Sequence, residues 1–180
     1  MKNEVLSLIA SFIAMAFVIS AYFVKKKGFL LCQASCIVFL IISYFFNLQF
    51  FAMVGLIIGL VRSLSFYYYE KNDKEAPLYL AIILSLLTLA SYFIINLWIL
   101  GDAKPVDVLC LVALVSYVFI FRIRDIKKVR FLMLAPTALS ILFNVLSSAA
   151  IFATLTYVFE LSANVISILK YHVIKVEQKK

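Results

Sequence analysis

Long apolar runs broken by short clusters of charge dominate the chain. They extend from Val5 to Val24, Phe29 to Tyr69, Pro77 to Leu100, Val106 to Phe121 and Phe131 to Val173. A membrane-spanning helix needs roughly 17–25 residues, so the 41 residues from Phe29 and the 43 from Phe131 are each too long for one span. Each is predicted to turn back on itself. The breaks fall at Asn47 to Gln49 and near Ser147 to Ala150, where polar or small residues interrupt the large side chains. The pattern therefore predicts seven transmembrane helices. The first run is read as a retained helix and not a cleaved signal, because Glu4 offsets Lys2, Lys25 to Lys27 follow it, and no small-residue cleavage site is evident.

Composition strengthens that reading. Apolar residues, Tyr included, make up 66% of the 180 residues, and charged residues only 14%. Soluble domains carry roughly 25% charged residues, so so few cannot coat a globule of this size in water. The net charge of +8 is spread over short interhelical clusters, which argues against nucleic-acid binding and for membrane topology. With seven spans, one side receives Lys25 to Lys27, Lys71, Lys74, Arg122, Arg124, Lys127, Lys128, Arg130, Lys170, Lys175, Lys179 and Lys180, which are 14 of the 17 basic residues. The positive-inside rule then puts the N-terminus outside and the C-terminus in the cytoplasm.

Shifting the chain by 102 residues lays the first three predicted helices on the last three without a gap. Lys25 and Lys26 fall on Lys127 and Lys128, Phe29 and Leu30 on Phe131 and Leu132, Ser65 on Ser167, and Tyr69 on Tyr171. Two units separated by one helix must point the same way through the membrane. The expected architecture is an all-α membrane protein of two parallel three-helix repeats joined by a linker helix. Residues 1–70 form the first repeat, 71–102 the linker, and 103–180 the second repeat with its basic tail.

The basic loop before Phe29, the Asn47 turn, the stretch Gly55 to Ser65 with Val61-Arg62-Ser63, and Glu160-Leu161-Ser162-Ala163-Asn164 resemble the YgjV-type bacterial inner-membrane proteins. That resemblance implies a multi-pass protein of the bacterial inner membrane. More distantly, the 3+1+3 layout is similar to the SWEET and PQ-loop superfamily, which implies transporters of small solutes and a retrieval receptor. The chain departs from the SWEET pattern: Pro136 is followed by Thr137 instead of Gln, and Gln33 follows Cys32 instead of a proline.

Arg62 and Glu160 are the Asp, Glu, Lys or Arg residues that lie deep in predicted spans. Each costs about 2.5–3.5 kcal/mol near the bilayer centre on insertion scales, so such residues face protein or a wet cavity. Glu160, Asn164, Ser167 and Tyr171 share a helix face, and the shifted positions are Ile58, Arg62, Ser65 and Tyr69. Arg62, Asn164, Glu160, Ser65 and Ser167, with Asn144 on the neighbouring helix, are the candidate substrate-binding residues. Glu160 is expected either to pair with Arg62 or to carry a proton. The alternatives are a structural ion pair and an Arg62 that snorkels to the interface. Thr137 and Ser140 are expected to satisfy backbone freed by Pro136. Gly55, Gly59 and Ser63 form a small-residue ridge suited to close packing within one chain.

Enzyme chemistry is not expected. His172 is the single histidine, the four glycines form no phosphate loop, and Asp73, Asp102, Asp107 and Asp125 all lie in or beside loops. Cys32, Cys36 and Cys110 read as small hydrophobes, without a metal or cofactor. The expected function is transport of a small polar solute by alternating access, with the lipid bilayer and a second copy as possible partners. The alternative is a non-transporting receptor or assembly protein.

Overall fold

A computed structural model describes residues 2–46, 48, 50–99, 101, 104–147 and 151–169, and these are helical with short turns. Helix α1 is Lys2–Ala21, α2 Lys26–Phe46, α3 Phe50–Lys71 and α4 Leu78–Tyr92, the last continuing as a π-helical stretch Phe93–Ile99. Then follow α5 Asp107–Arg122, α6 Ile126–Leu132, α7 Leu134–Leu146 and α8 Ile151–Ile168. Helices α6 and α7 form one rod interrupted only at Met133, so the described chain has seven helical rods. Four are long and apolar enough to cross a membrane: Lys26–Phe46, Ala52–Lys71, Leu78–Asn96 and Ile126–Leu146.

The breaks fall where polarity put them. Helix α2 stops at Phe46 and α3 starts at Phe50, and α7 and α8 part between Leu146 and Ile151. Asn47, Gln49 and 148–150 themselves lie outside the described residues. Helix starts differ more from expectation. Helix α6 begins five residues before the apolar run at Phe131, because Asp125 accepts a hydrogen bond from the Lys127 backbone N–H at 2.9 Å and caps the helix there. Hydropathy marks what faces lipid, whereas capping marks where the helix begins.

Pro136 accounts for the interruption at Met133. It lacks the N–H that would bond the Leu132 carbonyl, and its ring crowds that turn. Neither of the side chains expected to repair this reaches that carbonyl. Ser140 donates to the Pro136 carbonyl at 3.0 Å, and the Thr137 hydroxyl meets Tyr117 Oη at 2.8 Å.

The rods pack in a closed circuit, α1 on α2, α2 on α3, α3 on α5, α5 on α7, α7 on α8 and α8 on α1, with α4 outside against α3 and α5. Two of these seams are made by parallel neighbours. At one, Gly55 faces Leu114 and Arg62 faces Phe121. At the other, Thr156 donates to the Ser11 carbonyl at 3.4 Å, and Tyr22 Oη donates to the Glu160 carbonyl at 3.0 Å. The small-residue ridge is thus spent inside the chain. A methyl group at Gly55 would overlap Leu114 Cδ1, so Gly55→Leu is expected to cost about 1–3 kcal/mol by overpacking. A lowered unfolding midpoint in detergent checks this; an unchanged midpoint would mean that α3 and α5 do not approach so closely.

Two buried cations tie the circuit at the end bearing Lys25 to Lys27, called here the basic end. Lys26 Nζ donates to the carbonyls of Phe121 and Ile123 at 3.1 and 2.9 Å, at the C-terminus of α5. Arg130 donates to the Tyr22 carbonyl at 3.2 Å, just past α1. Both complement the negative end of a helix dipole. Arg130 sits in a run of basic residues that reads as a solvated loop, yet it is 4% exposed.

Candidate functional site

Inside the circuit lies a cavity of about 40 Å³. That is space for about three waters, too little for an organic solute in this state. Helices α2, α3, α5, α7 and α8 each contribute through one face, and among the described residues α1 contributes none to the lining. Helix α2 presents Gln33, Cys36, Leu40 and Tyr44, at steps of three and four; α3 presents Ala52, Leu56, Gly59 and Arg62. Helix α5 adds Cys110, Leu114, Tyr117 and Phe121, and α8 adds Thr156, Tyr157 and Glu160.

Polar groups gather toward the basic end. Glu160 is 4% exposed, and its Oε1 accepts from Gln33 Nε2 at 2.9 Å. Arg62, equally buried, stacks its guanidinium 4.5 Å from the Phe121 ring centroid and 5.5 Å from that of Tyr117. Such cation–π contacts are worth about 2 kcal/mol when desolvated, less than a paired carboxylate supplies. Among the described residues Arg62 and Glu160 line the same cavity without coming within ion-pair distance, and Arg62 Nε has no hydrogen-bond partner. The expected pairing of the two is replaced by an amide on the acid and aromatic rings on the base. Arg62 does not snorkel.

The other candidates distribute around this centre. Asn144 lies on α7 and accepts through Oδ1 from Tyr44 Oη at 2.6 Å, toward the far end. Asn164 is fully buried one turn beyond Glu160, and neither its Nδ2 nor its Oδ1 has a partner among the described residues. It does not line the cavity. Ser167 accepts from Arg130 Nη1 at 2.6 Å and belongs to the basic-end tie. Ser65 is half-buried and off the lining. Tyr171 and His172 lie outside the described residues. Among the described residues no cluster of three His, Cys, Asp or Glu side chains suits a metal, and the three cysteines are free thiols.

Against known proteins, the sequence matches the family model Imp-YgjV, described as bacterial inner membrane protein, over residues 5–175. The chain belongs to the Imp-YgjV family. No curated protein and no solved structure matches this Imp-YgjV chain. The match covers both charge-bearing helices of the cavity, so Arg62 and Glu160 both fall within the Imp-YgjV region. Membership agrees with the apolar, helical build and with the YgjV-type resemblance read from the sequence, and does not extend to the SWEET and PQ-loop superfamily.

Sequence reasoning missed Gln33, Tyr117 and Tyr44 in this Imp-YgjV cavity. A signal for Gln33 exists: it is an uncharged polar residue deep in an apolar run, on the same helix face as Tyr44. Nothing local signals Tyr117, whose ring gains meaning only when α3 lies beside α5.

Proposed function

We propose that the protein is a small-solute transporter, in which residues 1–70 and 103–180 are parallel three-helix halves that move against each other, with 71–102 as linker. One observation carries this reading: two buried ionisable side chains, Arg62 and Glu160, line one cavity without coming within ion-pair distance of each other. Packing alone would favour apolar side chains at both positions. Ionisable groups at membrane depth are kept where they meet a solute or ion pathway.

The seams support the parallel repeat. Shifted by 102 residues, the Gly55–Leu114 contact falls on Tyr157 and Phe12, one residue from the hydrogen-bonded Thr156 and Ser11. Each seam joins the third helix of one half to the first helix of the other. Charge bias supports seven spans with the basic end in the cytoplasm. The basic end is also the more strongly tied, since charged Lys26 and Arg130 cross it. The far end is crossed by neutral bonds, Tyr44 to Asn144 and Thr156 to Ser11. Alternating access would therefore begin at the far end.

Cysteines at Gly55 and Leu114, whose side-chain positions meet across the α3–α5 seam, in a chain freed of its native thiols, test the motion. Oxidation is expected to stop solute flux in proteoliposomes, and reduction to restore it. Flux that is indifferent to the tether contradicts the rocking of halves, and ligand retained without passage favours a receptor.

A further inference from the structure

The cavity lining also speaks to the class of its occupant. Its polar groups are largely spent on one another: Gln33 on Glu160, Tyr117 on Thr137, Tyr44 on Asn144, and Ser140 on the Pro136 carbonyl. A polyol entering here would bury hydroxyls with few partners, at a cost of about 1–3 kcal/mol each. Arg62 differs. Its side chain turns back along α3, so that a Cβ at Gly59 would stand 3.6 Å from Nη2, and its Nε is unpartnered at 4% exposure.

A buried guanidinium in that state is stabilised most by a planar anion that takes two parallel N–H bonds. Beyond Arg62, toward the far end, the lining turns apolar through Ile37, Leu40, Leu56 and Leu114. We infer that the cavity takes a monocarboxylate with a short apolar body, its carboxylate on the Arg62 guanidinium and its body along those side chains. A dicarboxylate is disfavoured, because its second charge would meet Glu160 or hydrocarbon. Butyrate, with six heavy atoms, exceeds the three-water space of this state, so the widening that admits such a ligand rests on the transport reading; its recognition by Arg62 does not.

Butyrate and its neutral isostere butyramide separate charge from shape. Calorimetric titration of the purified full chain in detergent is expected to show butyrate binding at least about tenfold tighter than butyramide, the ratio that one charge-assisted hydrogen-bond pair supplies. Arg62→Met is expected to lose that preference while still unfolding cooperatively, and Arg62→Lys to keep part of it. Equal binding of the amide, unchanged butyrate affinity in Arg62→Met, or no binding of acetate, butyrate or hexanoate by folded wild type would overturn the inference. Butyrate binding without passage of radiolabelled butyrate into proteoliposomes would sink the transport reading and leave this one standing. Passage of a neutral solute with no carboxylate binding would do the reverse.

Discussion

Replacing Arg62 with methionine is expected to make the protein more stable and inactive. The guanidinium is buried, stacked on Phe121 and Tyr117, and its Nε is unpartnered. Methionine fills a similar volume with no charge to desolvate. Relieving the desolvation of an unpaired buried charge is stabilising, and loss of the cation–π contacts, about 2 kcal/mol, offsets part of that. A higher unfolding midpoint together with loss of solute flux is the expected pair of results. Stability given up at a site for the sake of function leaves this signature. Arg62→Met that is markedly destabilised would instead assign Arg62 a structural role.

The opposite sign is expected at Gln33. Its amide donates to Glu160 Oε1 at 2.9 Å, and both side chains are buried. Gln33→Leu removes the donor and leaves the buried acid without its hydrogen bond, at a cost of about 1.5–3 kcal/mol. The double variant Gln33→Leu/Glu160→Leu is expected to recover most of that loss, because donor and acceptor are then removed together. Chemical denaturation of the two variants and wild type measures the coupling. Strict additivity of Gln33→Leu and Glu160→Leu would show that the two side chains do not meet.

Both expectations depend on partners that the chain pattern reveals unequally. Breaks at 47–49 and near 147 were legible, because polar and small residues interrupt runs twice the thickness of a bilayer core. Arg62 and Glu160 were legible for the same reason, since an ionisable residue stands out in hydrocarbon. Their partners were not. Gln33 and Glu160 are 127 positions apart, and their contact follows from the seams, not from any local period. Ser65 shows the limit of periodicity. It follows Arg62 by three residues, roughly 60° around the helix, which carries it off the cavity lining. Arg130 misled through its neighbours: beside Lys127 and Lys128 it reads as loop, but the end of α1 packs over it and gives its guanidinium the Tyr22 carbonyl.

Cys36 offers the most direct test that the closed cavity opens to water. It lines the cavity at 2% exposure, and a thiol reacts with a maleimide only where water can generate its thiolate. Chains with Cys32→Ser and Cys110→Ser, in sealed vesicles of known orientation, can be treated with a membrane-impermeant maleimide from either face. Alternating access predicts slow modification of Cys36 from both faces, faster at the far end and suppressed there by the Gly55–Leu114 tether. Cys36 that stays unmodified from both faces in folded protein, yet reacts on unfolding, would contradict the account and leave a sealed bundle.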